Sequence, residues 1–200
     1  ISKEVCLSSI SGGTDIVSCF VLGSPSLSVY QGELQTRGLG MAVEVWNANG
    51  QSIKDEKGEL VCTKTFPSKP IMFWNDEDMS KYRSTYFSQF PNVWQHGDYV
   101  KLMGNNGMIF YGRSDTTLNR GGVRIGTAEI YRQVELLDEV LESIVVEQTL
   151  SHDSRIVLFV KLASNKKLSQ RIKEKIINQI RINTTPRHVP DMIIQVSDIP

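Results

Sequence analysis

The residues of this chain best suited to contacting an anion are concentrated in GRSDTTLNRGGVRIGTAEIYRQVE, residues 112–135. Glycines allow a backbone to approach a ligand closely, and arginine side chains pair with phosphate or carboxylate oxygens. A segment of this kind suits three roles: a phosphate-binding loop, a basic loop for nucleic acid, or a hinge between two domains. The composition and the neighbouring elements discriminate among these roles.

Charge balance and glycine spacing disfavour two of the roles. The chain has 22 Lys and Arg against 22 Asp and Glu, so no net positive field would attract nucleic acid or an anionic membrane. RGGVRIGTAEI, residues 120–130, matches neither the GxGxxG of a dinucleotide fold nor the GK[ST] of a P-loop. Arg124, just ahead of a predicted helix, can still contact an anionic ligand.

A second candidate site lies near the start of the chain, in SGGTDI, residues 11–16. The Thr14 hydroxyl beside the Asp15 carboxylate can hold a phosphate group and a divalent cation together, and the two glycines permit a ligand to approach. Taken alone, the same residues also suit an ordinary turn.

Two further polar residues stand next to predicted strands. Asp98 in HGDYV follows a glycine at the edge of a strand, where a carboxylate can accept ribose hydroxyl protons or simply cap the strand. Arg113 in GRSD stands where a strand ends and can bond a hydroxyl or phosphate. The alternative for Arg113 is a surface pair with Asp115 that contributes less than about 1 kcal/mol.

The cysteines, histidines and apolar runs point to an ordinary cytoplasmic globular protein. The three cysteines have no CxxC spacing, so neither a disulfide framework nor a zinc site is expected, and the three histidines are scattered. No apolar run approaches the ~20 residues of a membrane helix, so no membrane insertion is expected. The chain begins with Ile1, as expected of a piece of a longer protein.

The pattern up to about residue 111 is rich in strands. The Asn-Gly turn between two apolar runs predicts a hairpin, and NDEDMSKYRSTYF predicts a short helix with Asn75 or Asp76 near its N-terminus. The predicted strands are VEVW (43–46), GELVCTKTF (58–66), YVKLM (99–103) and MIFYG (108–112).

The pattern after residue 115 changes to an alternation of helices and strands. Thr127 is expected to cap a helix that runs to about Leu141, and Ser169 or Asn165 a second helix. Strands are predicted at SIVVEQ (143–148), RIVLFVKL (155–162) and MIIQV (192–196). The fold class is therefore α+β, with two units that meet inside the anion-contacting segment.

The motifs Thr-Asp, Gly-Glu-Leu, Gly-Asp, GRSD and RIGTAEIY follow one another in an order that resembles the adenylate-forming enzymes, the acyl-CoA synthetases in particular. SISGGTDIVSCF, FWNDEDMSKYRSTYFSQFPNVWQHGDYV and TPRHVPDMIIQVSDIP are most similar to the acetoacetyl-CoA synthetases among them. The resemblance implies that residues 1–114 are the β-rich end of a large N-terminal adenylating domain. It implies that residues 115–200 belong to a small α/β C-terminal lid domain.

The resemblance also implies a reaction and its reactants. Such enzymes join a carboxylate to ATP, release pyrophosphate, and then let the CoA thiol displace AMP. Acetoacetate, ATP, CoA and Mg²⁺ are the expected substrates and ion. A ligase for acetate, propionate or butyrate, or a non-catalytic nucleotide-binding relative, remains an alternative.

The family's motifs assign roles to several residues. Thr14 would contact the nucleotide phosphate, and Asp15, where the family has Glu, would bind magnesium. Asp98 would bind the ribose, Arg113 the ribose or phosphate, and Asp115 would be the hinge of the lid.

Assignments of four glycines and two arginines also follow from the resemblance. Gly12 and Gly13 would border the ligand, and Gly12 would widen the acyl pocket where acetyl-specific relatives carry Trp. In an alternative register, shifted by three, Ser11 and Gly12 replace the Thr–Asp pair. The remaining expectations are Gly121 and Gly122 along the CoA tunnel, Arg124 on the ATP phosphates, and Arg181 on a CoA phosphate.

Two of the family's parts are expected outside these residues. The phosphate-cradling loop should lie upstream of Ile1, and the catalytic Lys of adenylation should follow Pro200. Residues 1–200 alone are therefore expected to be inactive.

Overall fold

A computed structural model describes residues 5–120, 123–149 and 154–199 of the chain. It divides into two compact units, Ile1–Phe110 and Tyr111–Pro200. Each unit combines strands with helix, so the α+β class predicted from the sequence is confirmed. Among the described residues, no helix has the length and hydropathy needed to cross a bilayer.

The first unit contains two small sheets and one short helix. Strands β1, β2 and β3 form one sheet in that order, and β4, β5, β6 and β7 form the other; each of the pairs β1–β2, β2–β3, β4–β5 and β5–β6 is antiparallel. The elements are β1 Ser11–Gly13, β2 Ser18–Leu22, β3 Thr36–Arg37, β4 Val43–Trp46, β5 Lys57–Cys62, α1 Ser80–Tyr86, β6 Trp94–Leu102 and β7 Met108–Arg113.

The β6–β7 connection is the predicted hairpin. Asn106 has a φ of 70°, the left-handed conformation that Asn and Gly tolerate in tight turns. The Met103 N–H donates to the Gly107 carbonyl at 2.8 Å and closes the turn. The predicted strands at VEVW and GELVCTKTF are also present, although the second one ends at Cys62.

Helix α1 is shorter than predicted, and Asp76 holds its N-terminus. The N-cap residue is Met79, and the Asp76 carboxylate, three residues before it, accepts the backbone N–H groups of Lys81 and Tyr82 at 3.0 and 2.8 Å, so Asp76 lies near the helix N-terminus as expected. Asp76 is only 3% exposed, because the surrounding segment covers it. These bonds satisfy N–H groups that have no partner within the helix.

Helix α1 packs through its aromatic residues onto the first residue of β6. The Tyr86 ring stacks on the Trp94 indole with centroids 3.7 Å apart and planes 16° from parallel. Tyr82 and Phe73 contact Tyr86 edge-on. Because Trp94 is 2% exposed, this cluster fixes the helix against the larger sheet.

The second unit contains a two-stranded hairpin, a three-stranded sheet and two helices. The sheet has the order β10–β11–β12, with β10 and β11 antiparallel and β11 and β12 parallel. The elements are β8 Leu118–Arg120, β9 Val123–Ile125, α2 Thr127–Val134, β10 Val140–Thr149, β11 Ser154–Leu162, α3 Gln170–Asn183 and β12 Met192–Gln195, with short 3₁₀ turns at Ser114–Thr116 and Pro186–His188.

Two expectations for α2 are wrong. The helix ends at Val134 rather than about Leu141, because the chain turns and pairs as β10 with β11, leaving Leu141 54% exposed. Thr127 is the first helical residue and not the cap. Gly126 stands at the cap, and its N–H donates to the Glu129 carboxylate at 3.0 Å.

Helix α3 forms where its apolar spacing predicts it. Ser169 caps it, since its hydroxyl accepts the Ile172 N–H at 3.4 Å; Asn165 lies in the preceding turn with a φ of 68°. Ile172, Ile176 and Ile180 are buried along one stripe, as predicted. The helix thereby contributes to the second unit's core together with α2 and the sheet.

Candidate functional site

SGGTDI forms strand β1 and the turn that follows it. The sequence had suggested a turn here but no strand. The Ile16 N–H donates to the Gly13 carbonyl at 3.3 Å, and the Ile16 side chain is fully buried. This anchor leaves Thr14 and Asp15 exposed at the tip between β1 and β2. A hydroxyl and a carboxylate are therefore presented side by side on a short, well-anchored turn.

The Asp15 carboxylate is held by a residue that the sequence did not single out. The Tyr86 hydroxyl donates to Asp15 Oδ2 at 2.5 Å. Asp15 Oδ1 lies 2.0 Å from the position that a Cβ on Gly13 would occupy. A side chain at residue 13 would displace the Asp15 carboxylate from this position.

Asp98 lies inside β6 rather than at the edge of a strand, which corrects that expectation. Gly97 has a φ of 84° and accompanies a register shift between β5 and β6, so the strand continues through the Gly-Asp pair. The Ser11 hydroxyl donates to Asp98 Oδ2 at 3.1 Å, and His96 Nε2 lies 3.7 Å from the same oxygen. The Asp98 side chain is 13% exposed.

His96 connects the Asp15 turn to Asp98. Its ring packs edge-on against Phe20, with centroids 4.7 Å apart, and its Cε1 lies 3.4 Å from the Gly13 Cβ position beside which Asp15 Oδ1 also lies. Ser11, Asp15, Tyr86, His96 and Asp98 thus form one polar cluster at the β1 end of the first unit. Of these five residues, the sequence suggested the two carboxylates, and Ser11 only in the alternative register.

A cavity of about 800 Å³ opens beside this cluster, within the size range of small-molecule sites. Its wall includes the backbone of the SGGT segment and the side chains of Leu34 and Phe110. The predicted residues Gly12, Gly13 and Thr14 all line it. The polar edge and apolar wall together suit a ligand with both a charged and a flat apolar part.

The structure gives a different reason for glycine at position 12 from the one expected. A Cβ at this position would lie 2.1 Å from the Ser18 carbonyl oxygen and 2.7 Å from Cys19 Cα, both in the backbone of β2. Glycine is therefore explained by the close pairing of β1 with β2. The expectation that a Trp side chain at residue 12 would fill an acyl pocket does not fit this backbone.

Arg113 and Asp115 form the surface pair that the sequence offered as one alternative. Arg113 Nε lies 3.4 Å from Asp115 Oδ1, and their side chains are 49% and 67% exposed. Such a pair contributes about 0–1 kcal/mol. Arg113 ends β7 and Asp115 lies in the 3₁₀ turn that follows it, so both side chains remain accessible to a ligand.

The other predicted cations lie on separate elements of the second unit. Arg124 is exposed on β9, opposite Asn119, and Arg181 is exposed in the last turn of α3. Gly121 and Gly122 lie outside the described residues. The structure brings Asp15 and Asp98 into one polar cluster and places Arg124 and Arg181 on different elements of the second unit.

The oxygen atoms of Asp15 and Thr14 suit a magnesium ion that is also bound to the phosphates of a nucleotide. No group of three or more His, Cys, Asp or Glu side chains capable of holding a metal occurs in residues 5–120, 123–149 and 154–199. Magnesium bound with nucleotides commonly takes one or two protein carboxylates, with phosphate oxygens and waters as its other ligands. Asp15, next to the Thr14 hydroxyl, offers that arrangement.

Comparison with known proteins gives a consistent result along the whole chain. Acetoacetyl-coenzyme A synthetase of Rhizobium meliloti (strain 1021) is 56% identical over 200 residues, and acetoacetyl-CoA synthetase of Gallus gallus is 50% identical over 202. Both alignments cover 100% of this chain, which spans 31% and 30% of these curated relatives. No family model matches the chain.

A solved structure shares the fold. Acetoacetyl-CoA synthetase from Streptomyces lividans superimposes with a TM-score of 0.90 at 46% sequence identity. The match covers 96% of this chain and 29% of the solved chain. The resemblance predicted from the motifs is thus confirmed in sequence and in fold.

Proposed function

We propose that this chain, a homologue along its whole length of part of the acetoacetyl-CoA synthetases, belongs to an ATP-dependent acetoacetate–CoA ligase. The observation that carries the proposal is the 56% identity over all 200 residues. The cluster of Thr14, Asp15 and Asp98 beside a cavity supports it, because these are the residues to which the motifs assign the nucleotide. Acetoacetate, ATP and CoA are the proposed substrates.

The proposed reaction has two displacements. A carboxylate oxygen of acetoacetate attacks the α-phosphorus of ATP, and pyrophosphate leaves. The CoA thiol sulfur then attacks the acyl carbon, and AMP leaves with the oxygen that joined the two groups. Protein groups favour such steps by positioning the reactants and by placing hydrogen-bond donors where negative charge develops.

The residues of the first unit are suited to holding the nucleotide. The Asp98 carboxylate, which accepts a hydrogen bond from the Ser11 hydroxyl, can also accept hydrogen bonds from the two ribose hydroxyls. The exposed Thr14 hydroxyl can donate to a phosphate oxygen. Asp15 would hold a magnesium ion, which when bound neutralises phosphate charge and orients the phosphate groups.

Three cationic residues of the second unit are further proposed ligand contacts. Arg113 would contact the ribose or a phosphate, and Arg124 the ATP phosphates; both are exposed. We further propose that residues 1–114 belong to the adenylating domain and residues 115–200 to the lid, with Asp115 as the hinge between them. Gly121 and Gly122 would line the CoA path, and Arg181 would contact a CoA phosphate.

The test is acid-dependent pyrophosphate release by the full-length protein. We expect release with acetoacetate at a kcat/KM at least about tenfold above that with acetate, propionate or butyrate, since the net contribution of one hydrogen bond, to the added keto oxygen, is up to about that factor. Asp98→Asn keeps the volume of the side chain but removes the negative charge of the proposed ribose acceptor, so it should raise the KM for ATP. Asp55→Asn, at an exposed residue in another loop, is the matched control.

Two results would overturn the proposal. Preference for another acid would make the protein a different short-acid ligase. ATP binding without pyrophosphate release for any acid of the panel would make it a non-catalytic nucleotide-binding relative.

A further inference from the structure

Tyr86 and Asp15, which lie 71 residues apart in sequence, are joined by a 2.5 Å hydrogen bond. We propose that Tyr86 is a positioning residue that fixes the Asp15 carboxylate for magnesium and thereby sets the magnesium concentration at which ATP binds. The inference rests on the proposed function, which places the cation at Asp15. Neither the motifs nor the relatives' names assign a role to Tyr86.

The position of the Tyr86 hydroxyl is determined by packing. Tyr86 is 7% exposed, and its ring is held between the Trp94 indole, with which it stacks, and the edge of the Phe73 ring. A tyrosine has only two side-chain torsions, and this packing restricts both. The hydroxyl is therefore a rigid donor at the surface of the aromatic cluster.

The Asp15 side chain, by contrast, has few contacts that restrain it. It lies on an exposed turn, and Tyr86 is the one hydrogen-bond partner of its carboxylate within the described part of the chain. The acyl-CoA synthetases that the motif resembles carry Glu at this place, which reaches one methylene further. A fixed donor reduces the rotational freedom that the shorter carboxylate would otherwise lose when it binds a cation.

The hydrogen bond also gives the two oxygens of the Asp15 carboxylate different surroundings. Oδ2 accepts the hydrogen bond from the Tyr86 hydroxyl, while Oδ1 lies over Gly13, a residue that lines the cavity. A charge-assisted bond of this kind is stronger than one between neutral groups. The donor is a neutral hydroxyl, so it orients the carboxylate without placing an opposite charge beside it.

The test uses Tyr86→Phe in the full-length protein. Equilibrium dialysis with labelled ATP, without acid or CoA, gives the Mg²⁺ concentration for half-maximal ATP binding. We expect that concentration to rise about 5- to 20-fold, as for loss of one charge-assisted hydrogen bond. ATP binding at saturating Mg²⁺ should change less than twofold.

Tyr82→Phe is the matched control, because Tyr82 lies on the same helix and in the same aromatic cluster, and its hydroxyl donates to the Pro70 carbonyl at 2.5 Å. It should leave the Mg²⁺ requirement unchanged. A second comparison places Tyr86→Phe in an Asp15→Asn background. There it should cause no further rise, because the charged acceptor is already absent.

Equal Mg²⁺ requirements in Tyr86→Phe and Tyr82→Phe, with a wild type that binds ATP and releases pyrophosphate, would overturn this inference and leave the proposed function standing. A further rise in the Asp15→Asn background would also overturn it, since Tyr86 would then act elsewhere. A wild type with no Mg²⁺-dependent ATP binding would overturn both.

Discussion

The Ser11 hydroxyl donates a hydrogen bond to Asp98 Oδ2 over 3.1 Å and so ties β1 to the middle of β6 across 87 residues of sequence. His96 lies near the same oxygen, with its Nε2 3.7 Å away. The carboxylate proposed to bind the ribose is thus oriented by the strand that leads into the Thr14–Asp15 turn. Changes to this bond should alter nucleotide binding more than folding.

Ser11→Ala should raise the KM for ATP about 3- to 10-fold in the full-length protein and change kcat less than twofold, since it removes one hydrogen bond to a charged acceptor. Steady-state kinetics with varied ATP give both values. Ser26→Ala, which removes an exposed Ser24–Ser26 contact in the same unit, is the control. Equal KM values for the two variants would contradict the orienting role of Ser11.

Gly12→Ala should lower the free energy of unfolding by more than about 2 kcal/mol, because the added methyl group would lie 2.1 Å from the Ser18 carbonyl oxygen. Urea unfolding followed by circular dichroism measures the change. Gly104→Ala is the matched control, since a Cβ there meets only Asp55 Oδ2 at 3.8 Å. If the two variants unfold alike, the close β1–β2 contact is not what requires glycine at residue 12.

Asp76→Ala should destabilise the first unit by about 1–2 kcal/mol, because α1 loses the carboxylate that accepts the Lys81 and Tyr82 N–H groups. Asp78→Ala, which removes one exposed bond from the Ser80 N–H, should cost less. Urea midpoints of the two variants, compared with wild type, test the order. The reverse order would mean that the bonds from Lys81 and Tyr82 to Asp76 do not stabilise the helix.

Ile176→Ala should cost about 2–5 kcal/mol, because Ile176 is fully buried in the second unit's core and truncation leaves a cavity. Ile182→Ala, on the same helix but 79% exposed, should stay within about 0.5 kcal/mol of wild type. Chemical denaturation measures both. A small effect at Ile176 would place the core of the unit elsewhere.

Glu139→Gln should reduce the loss of the second unit's unfolding free energy at acidic pH. The Lys175 ammonium donates to both Glu139 carboxylate oxygens, at 2.9 and 2.8 Å, and holds the pKa of Glu139 below its ordinary value. A carboxylate whose folded-state pKa is lowered stabilises the fold above its unfolded-state pKa. That stabilisation is lost as the pH falls through the folded-state pKa.

The urea midpoint should therefore fall more in wild type than in Glu139→Gln between about pH 6 and about pH 3. The Lys175 and Glu139 side chains are 48% and 23% exposed, so solvent reaches the pair and added salt of about 1 M should shrink the difference by screening it. Parallel pH profiles of the two proteins would refute the contribution of this pair.

The elements that the sequence predicted well are those whose signals are local. The Asn-Gly turn specifies the β6–β7 hairpin because few residues adopt the left-handed conformation seen at Asn106. The spacing of Ile172, Ile176 and Ile180, with Ser169 ahead of it, specifies α3. In both cases the residues that decide the structure lie within one turn or one helix.

The elements that it missed depend on pairing between distant segments. Leu141 continues the apolar spacing of α2, yet it lies in β10, because pairing with β11 outweighs one more helical turn. Strands β1 and β9 have three residues each and contain too few apolar positions to be recognised.

The candidate site was predicted in part for the same reason. Thr14, Asp15 and Asp98 could be named because their motifs are short and contiguous. The partners that orient them, Ser11 and Tyr86, could not be, because no local pattern indicates a contact across 87 or 71 residues.

The stacked pair of Trp94 and Tyr86 gives the first unit a built-in optical probe. Trp94 is 2% exposed, so its fluorescence emission lies toward the blue, whereas Trp74, at 91% exposed, emits toward the red as in water. The ring that stacks on Trp94 carries the hydroxyl bonded to Asp15. If Asp15 binds a cation as proposed, the change in electric field at the indole should alter the blue part of the emission spectrum, to which the half-buried Trp46 also contributes.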